Sequence, residues 1–214
     1  MANVRNCLEV VRRGLPPGAD AARFADLAID ELLRMHELAE SLLDLNRPFA
    51  PESGDCDPRE VASQVAALSG AAEGAPRVAL RSGAPVPRAG IPPDALKQIL
   101  FNLVQNAREA DASGRPIEIV VAAEGGVVSI DVEDRGRGVP VDVLERLFDP
   151  FFTTKEAVTG VGLGLFVAEG LARRYGGRME AANRDDGPGA RFRVVVPVAV
   201  GADVAEGAEG AEGA

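Results

Sequence analysis

The chain has 214 residues, of which 46% are hydrophobic, and a formal net charge of −10 at pH 7. This length accommodates one sizeable core and an appendage, and the acidic balance argues against general nucleic-acid binding. The sequence contains no apolar run long enough to span a bilayer and no signal-peptide core. Its single histidine, His36, argues against a histidine-based metal site or triad. We expect a cytoplasmic protein with free thiols at Cys7 and Cys56.

Residues 1–48 predict a helical hairpin. Apolar residues recur at helical spacing over 3–14 and over 20–46, and a Pro-Pro-Gly sequence at 16–18 separates the two stretches. A hairpin this thin cannot bury both apolar faces alone. We expect it to pair with a second copy into a four-helix bundle, giving a homodimer. The alternative is that it packs on the chain's own globular domain.

A linker over 49–56, rich in Pro and Gly, precedes a predicted mixed α and β domain over 57–199. The predicted elements are a helix over 57–70, a strand over 77–81, a helix over 94–110, strands over 117–123 and 127–133, a short helix over 141–147, a helix ending near 175, and strands over 178–182 and 191–196. The acidic, low-complexity tail over 200–214 is expected to be disordered.

The predicted helix over 94–110 has a polar face made of Gln98, Asn102, Asn106 and Glu109. Asparagine is a poor residue inside a helix, because its side chain competes for backbone hydrogen bonds. Two asparagines one turn apart therefore indicate a function. Side-chain amide oxygens can coordinate a hard cation such as Mg²⁺, which retains waters shared with phosphate. The alternative is an ordinary solvated face.

A carboxylate and two glycines follow the predicted strand over 127–133. Asp134, at the strand end, can accept a hydrogen bond from an exocyclic amine such as that of adenine. Gly136 and Gly138 have no Cβ to keep the backbone away from a flat ring. Taken alone, this motif also fits an ordinary turn.

A second glycine-rich segment, with Gly160, Gly162 and Gly164, opens a predicted helix. The free backbone N–H groups and the positive dipole end at a helix N-terminus favour an anion. The segment is not a Walker loop, because no Gly-Lys-Ser/Thr follows. It is not a dinucleotide fingerprint either, because no crossover strand precedes it.

Taken in order, these motifs resemble the catalytic ATP-binding domain of sensor histidine kinases, in the superfamily that also holds gyrase, heat-shock-chaperone and mismatch-repair ATPases. The motifs are an N box at 102–107, a first glycine box at 134–138, an F box at 149–155, a second glycine box at 160–165 and a third at 187–192. The resemblance covers residues 57–197. It implies an α+β fold, a two-layer α/β sandwich of the Bergerat type with helices on one face of a mixed sheet.

The resemblance also implies a function. The domain would bind ATP with Mg²⁺ and transfer the γ-phosphoryl group to a histidine, for relay to a response-regulator receiver domain. Asn106 would ligate Mg²⁺ with Asn102 beside it, and Asp134 would bind the adenine amine. The implied nucleotide-binding residues are Asn102, Asn106, Asp134, Gly136, Gly138, Phe152, Thr153, Thr154, Lys155, Gly160, Gly162, Leu163, Gly164 and Leu165. Asn102, Asn106 and Lys155 form the implied catalytic set.

Two positions depart from the family pattern. The family usually has Thr after the third glycine box, where this chain has Ala190, so a water-mediated adenine contact is expected to be lost. The family's phosphoacceptor histidine lies in the first hairpin helix, within a His-acidic-x-Arg/Asn/Thr-x-Pro motif. His36 lies in the predicted second helix without that motif, and we expect it to be a residue of the helix surface or of the flank of the bundle. The chain is then either a fragment or a kinase that phosphorylates a histidine on another chain.

Two alternatives to a kinase stay open. The first is a non-catalytic ATP-binding or dimerisation module, because the acceptor motif is absent. The second is a conformational ATPase of the topoisomerase or chaperone type. Those ATPases place a glutamate one turn before the Mg²⁺ asparagine to activate water. Asn102 occupies that position here and cannot act as a base, which disfavours the second alternative.

Overall fold

The computed structural model describes residues 54–70, 76–83, 85–111, 114–153 and 162–199, together with residues 10–12, 14, 16, 21 and 24. The chain divides into two compact units, Met1–Phe49 and Ala50–Ala214. Most of the predicted hairpin lies outside the described residues, as does the predicted acidic tail. Five residues singled out from the sequence also lie outside them: Cys7, His36, Thr154, Lys155 and Gly160.

Three helices and five strands make up the described part of the second unit. They are α1 (Pro58–Gly70), β1 (Val78–Ser82), α2 (Pro93–Ala110), β2 (Ile117–Glu124), β3 (Val127–Glu133), α3 (Gly164–Arg174), β4 (Arg178–Asn183) and β5 (Ala190–Pro197). The short helix predicted after β3 is a 3₁₀ helix, Val141–Arg146. Helix α1 begins as predicted, because Asp57 Oδ1 accepts hydrogen bonds from the backbone N–H groups of Arg59 at 2.8 Å and Glu60 at 3.4 Å.

The five strands form one mixed sheet in the order β1-β2-β3-β5-β4. Strands β1 and β2 run parallel, and the other three neighbouring pairs are antiparallel. Strands β2 and β3 are joined at Gly125 and Gly126, whose φ angles of +60° and +80° suit a two-residue hairpin turn. The sheet therefore brings the end of β3 next to the start of β5 and, one strand further, the end of β4.

The helices cover one face of this sheet. Residues 117, 119 and 121 of β2 are almost fully buried, as are the alternate residues of β3 and β5, and all three helices contact strands of the sheet. The opposite face carries ion pairs between strands, such as Arg193 with Asp131 at 2.6 Å. This arrangement is the predicted two-layer α/β sandwich. Within the described part of the chain, no helix is long and apolar enough to cross a membrane.

Residues 55 and 56, the last of the predicted linker, contact the sheet domain. Cys56 and Ala89 exchange backbone hydrogen bonds of 3.1 and 2.9 Å, and Ala89 bridges in turn to Val198. Arg88 forms an ion pair with Asp55 at 2.7 Å. Cys56 is a free thiol, as predicted, and its burial raises its pKa to about 11. A thiol with so high a pKa is a poor nucleophile at neutral pH.

Candidate functional site

Asp134 lies directly after β3 and is 1% exposed. Its Oδ1 atom accepts hydrogen bonds from the backbone N–H groups of Gly136 at 2.8 Å and Ala190 at 3.2 Å. Its Oδ2 atom is buried and has no hydrogen-bond partner among the residues that the structure describes. A buried acceptor without a partner is unfavourable. Oδ2 is therefore available to a ligand that brings its own donor.

The surroundings of Asp134 also change its acidity. Burial raises the pKa of this carboxyl group above the ordinary value for aspartate, and the charge of Asp111 adds to the effect. The hydrogen bonds from Gly136 and Ala190 and the charge of Arg184 act in the opposite direction, but burial has the larger effect on the pKa. Carboxyl groups with a raised pKa are common at functional sites, although ion pairs within a fold also shift pKa values.

The two glycines that follow Asp134 are required by contacts within the protein. A Cβ on Gly136 would lie 2.6 Å from the carbonyl oxygen of Ala110, the last residue of α2. Gly138 has a φ angle of +75°, and a Cβ there would lie 2.8 Å from Asn183 Oδ1. The turn over 134–138 therefore packs tightly between the end of α2 and the end of β4. That these glycines also admit a nucleoside stays a prediction.

Helix α2 carries the predicted polar face. Its buried residues are Leu96, Ile99, Leu100, Leu103, Val104 and Ala107. Asn102 and Asn106 are partly buried at the edge of this apolar stripe, and Gln98 and Glu109 are exposed. The amide carbon of Asn102 lies 3.9 Å from where a Cβ on Gly164 would be. The structure thus places the N-terminus of α3 beside Asn102.

The described part of the F box ends at Thr153, which is exposed. Phe152 is partly buried, and the guanidinium carbon of Arg146 lies 4.7 Å from the centre of its ring. This distance fits a cation–π contact between the 3₁₀ helix and the F box. Phe151 is 66% exposed and has a φ angle of +63°, a conformation that is uncommon for a residue with a side chain.

The described part of the second glycine box begins at Gly162. Its φ angle is +71°, and a Cβ there would lie 2.5 Å from the carbonyl oxygen of Phe152. Leu163 is buried at 3% exposure, Leu165 is partly buried, and α3 begins at the exposed Gly164. The glycine-rich segment therefore leads into a helix N-terminus, as the sequence predicted.

Two residues that contact the flanks of the turn over 134–138 were not identified from the sequence. Asn183 hydrogen-bonds to the backbone of Val139, 44 residues earlier in the chain. Arg184 hydrogen-bonds to Glu133, 51 residues earlier. Nothing in the local sequence marks either residue, because the contacts depend on which strand ends meet at the edge of the sheet. The sequence predicted only that Ala190 lacks the side-chain contact with adenine that threonine would make. In the structure its backbone N–H donates a hydrogen bond to Asp134 Oδ1.

The sequence matches the family of histidine kinase-, DNA gyrase B- and HSP90-like ATPases over residues 91–200. The matched segment contains Asn102, Asn106 and Asp134, together with all three glycine boxes. It therefore covers both the polar face of α2 and the turn that buries the Asp134 carboxylate.

Individual relatives are sensor kinases. The chain is 30% identical over 200 residues to the sensor histidine kinase ZraS of Escherichia coli O157:H7, an alignment that covers 92% of this chain and 43% of that protein. It is 37% identical over 185 residues to the two-component sensor PprA of Pseudomonas aeruginosa, covering 81% of this chain and 20% of the relative. The chain thus spans less than half the length of these two relatives.

The fold is similar to that of a solved structure, full-length ShkA in complex with AMPPNP. The TM-score is 0.75 at 25% sequence identity, with 94% of this chain and 44% of that chain covered. The five-stranded mixed sheet, its helical layer and the matched family segment agree with one another. The chain belongs to the histidine kinase-, DNA gyrase B- and HSP90-like ATPase family, and its sheet domain is a catalytic domain of the histidine kinase type.

Proposed function

We propose that this chain is the ATP-binding catalytic core of a two-component sensor histidine kinase. The reaction transfers the γ-phosphoryl group of ATP to an imidazole nitrogen of a histidine. The bond from the γ-phosphorus to the β–γ bridging oxygen breaks, a phosphorus–nitrogen bond forms, and ADP leaves. The phosphoryl group then passes to a response-regulator receiver domain. Similarity to a protein named as a sensor histidine kinase and to one named as a two-component sensor supports this proposal.

The single observation that carries the proposal is the environment of Asp134. Its Oδ1 atom accepts two backbone hydrogen bonds, while Oδ2 is buried and has no partner among the described residues. The exocyclic amine of adenine is a donor of the right kind for Oδ2. Because both contacts to Oδ1 come from the backbone, the carboxylate is oriented before any ligand arrives, which lowers the entropy lost on binding.

The phosphate groups of ATP would lie between α2 and the N-terminus of α3. Asn102 and Asn106 offer amide oxygens there, and Gly164 opens a helix whose first N–H groups favour an anion. Within the described residues there is no cluster of three or more His, Cys, Asp or Glu that could hold a metal ion. An amide donor set still fits Mg²⁺, which commonly takes few protein ligands and completes its shell with waters and phosphate oxygens.

In this proposal Asn106 ligates Mg²⁺, Asn102 lies beside it, and Lys155 contacts phosphate. When bound, Mg²⁺-ATP supplies the transferable phosphoryl group and the neutralising charge. In the proposed complex Asp134 orients the base, and Lys155 and the N-terminus of α3 provide positive electrostatic potential at the phosphates. Positioning and charge neutralisation are most of what phosphoryl transfer requires. Asn102 cannot act as a base, so the site is better suited to transfer than to activation of water for hydrolysis.

The acceptor histidine is proposed to lie on another polypeptide or on a part of the protein beyond this sequence. His36 is not proposed as the acceptor, because the motif around it does not fit. The helical hairpin over 1–48 is proposed to form a homodimer, and the receiver domain of a response regulator is the proposed downstream partner. We place the reaction in the cytoplasm, where ATP is available.

Titration calorimetry with ATP in the presence of Mg²⁺ tests the proposal, with Asp134→Asn as the matched variant. We expect binding to the wild-type chain and much weaker binding to the variant. Incubation with γ-labelled ATP and a separate dimerisation domain that carries the acceptor motif should then give a labelled histidine. ATP binding without any transfer would favour a non-catalytic module, and the absence of binding would contradict the proposal.

A further inference from the structure

We propose, on the basis of the nucleotide function proposed above, that Asn183 and Arg184 are positioning residues for adenine recognition. Both lie where β4 ends, and together they hold the two flanks of the turn over 134–138, called here the Asp134 turn. Neither residue touches the proposed ligand position itself. Their proposed role is to keep Asp134 Oδ2 directed at the amine of the base.

Arg184 holds the flank before the turn. Its side chain is 5% exposed, and its Nη1 atom donates to Glu133 Oε2 at 2.8 Å. Its Nη2 atom lies 2.8 Å from each carboxylate oxygen of Asp186. Glu133 immediately precedes Asp134 in the chain. The planar guanidinium group can bind two carboxylates at once in a fixed geometry, which a lysine cannot reproduce.

The same residue fixes the loop that aims the Asp134 carboxylate. The backbone N–H of Arg184 donates to the carbonyl oxygen of Gly189 at 3.1 Å, which closes the loop between β4 and β5. Ala190, the next residue, donates its N–H to Asp134 Oδ1 at 3.2 Å and accepts from the Asp134 N–H at 3.0 Å. Movement of this loop would therefore rotate or release the carboxylate.

Asn183 holds the flank after the turn. Its Oδ1 atom accepts from the backbone N–H of Val139 at 2.7 Å, and its Nδ2 atom donates to the Val139 carbonyl at 2.7 Å. Gly138, just before Val139, approaches so closely that a Cβ would lie 2.8 Å from Asn183 Oδ1. A side-chain amide that pairs with both polar groups of one residue fixes the position and direction of the backbone there.

These contacts have a specific consequence for ligand choice. With both flanks held, Asp134 Oδ1 stays with its two backbone donors, and only Oδ2 faces the ligand. If either flank moves, Oδ2 loses its fixed direction while the phosphate end, on α2 and α3, is unaffected. Loss of Asn183 or of the Arg184 contacts should therefore weaken recognition of the exocyclic amine and leave the rest of nucleotide binding intact.

The test compares ATP with purine riboside 5′-triphosphate, which lacks the amine, both with Mg²⁺. The variants are Asn183→Ala and Arg184→Lys, which keeps the positive charge but cannot reproduce the contacts of the guanidinium group with both Glu133 and Asp186. The control is Arg178→Ala, on the same strand, where an exposed ion pair with Glu180 is lost. Affinities come from calorimetry, and folding of each variant is checked by thermal unfolding.

We expect both variants to bind ATP about tenfold more weakly than wild type, the effect of one hydrogen bond to a charged group. Their affinity for purine riboside triphosphate should be unchanged, so the preference for ATP shrinks. The control should keep the wild-type preference.

An equal loss of affinity for both nucleotides, or an unchanged preference in both variants, would overturn the positioning role alone. A wild-type chain that binds neither nucleotide would overturn the proposed function as well.

Discussion

The two ends of the candidate site are built in different ways. At the base end, Asp134 is almost fully buried, and the backbone N–H groups of Gly136 and Ala190 hold one of its oxygens. At the phosphate end, Asn102 and Asn106 project from one face of a single helix and are only partly buried. The protein thus fixes the base-recognition group in advance, whereas the proposed metal site needs phosphate oxygens and water to be complete.

This difference follows from the cost of burying charge. A carboxylate removed from water is unfavourable unless its oxygens find donors, so the fold supplies two backbone donors to Oδ1. Leaving Oδ2 without a partner is a local cost that ligand binding can recover. Amide side chains carry no net charge, so the partial burial of Asn102 and Asn106 at a helix edge costs less than the burial of a carboxylate. Base recognition should therefore be sensitive to geometry, and metal binding to the presence of the amide oxygen.

The largest expected effect tests the base end. Asp134→Asn keeps the shape of the side chain, and the two backbone donors require its oxygen at the Oδ1 position. The NH₂ group then replaces Oδ2 and faces the adenine amine, donor against donor. We expect affinity for Mg²⁺-ATP to fall about hundredfold, because hydrogen bonds to charged groups contribute up to about 3 kcal/mol. Titration calorimetry measures the change.

Stability provides the internal control for Asp134→Asn. Because the variant removes a buried charge without removing the contacts to Oδ1, its free energy of unfolding should equal or exceed that of the wild type. Urea unfolding in the absence of nucleotide measures it. A variant that loses stability and affinity together would show that Asp134 serves the fold rather than the ligand.

The second effect tests the phosphate end. Asn106→Ala should weaken Mg²⁺-ATP binding about tenfold, the lower end of the loss that follows changes to groups supporting metal ligands, while ATP affinity without Mg²⁺ changes little. Gln105→Ala is the matched control, because Gln105 is an exposed residue of the same helix whose Nε2 atom donates to Glu109 Oε1 at 2.8 Å. An equal loss of affinity with and without Mg²⁺ would contradict the assignment of Asn106 as a metal ligand.

Local sequence patterns predicted the elements well. The alternation of apolar residues over 127–133 predicted β3 with the bounds that the structure shows, Val127–Glu133. The spacing of apolar residues over 94–110 predicted both α2 and its polar face. These features depend on residues close together in the chain, where helical and strand periodicity suffices. The motif predicts the adenine-facing role of Asp134, and its buried Oδ2 atom, which has no hydrogen-bond partner in the described part of the chain, supports that prediction.

The contacts that support the site could not be predicted in the same way. Arg184 and Glu133 are separated by 51 residues, and Asn183 and Val139 by 44. Only the strand order places β4, β5 and β3 side by side so that these residues meet. The close neighbour of Gly136 is likewise the end of α2, which no local pattern reveals. The roles of Thr154, Lys155 and Gly160, which lie outside the described residues, stay predictions.

A smaller effect is expected for Gly164→Ala, which tests whether this glycine is needed by the ligand rather than by the fold. The nearest atom to a Cβ placed on Gly164 is the amide carbon of Asn102 at 3.9 Å, an ordinary contact. Gly164→Ala should therefore raise the free energy of unfolding by about 0.5 kcal/mol, through a less flexible unfolded chain. If phosphate approaches the backbone here, ATP affinity should nevertheless fall, by less than in Asn106→Ala.

Gly70→Ala is the control for this helix-terminal change, because a Cβ at Gly70 would meet no atom within 4 Å and the residue lies at the end of α1. It should leave ATP affinity unchanged. Calorimetry and thermal unfolding of both variants give the comparison. Unchanged ATP affinity in Gly164→Ala would remove the N-terminus of α3 from the proposed phosphate site.

The smallest expected effect is the pH dependence at the base end. Burial raises the pKa of Asp134 in the folded chain above its unfolded value, so the native state binds this proton more tightly than the unfolded state. The wild type should gain stability relative to Asp134→Asn as pH falls through the folded pKa, and lose that gain as pH rises through it.

Over the same range ATP affinity of the wild type should fall on acidification, because a protonated Oδ2 no longer accepts from the amine. Unfolding and binding curves for the wild type and Asp134→Asn between pH 7 and acid conditions measure both effects. If the stabilities of the two chains change in parallel with pH, the folded chain holds the Asp134 proton no more tightly than the unfolded chain does.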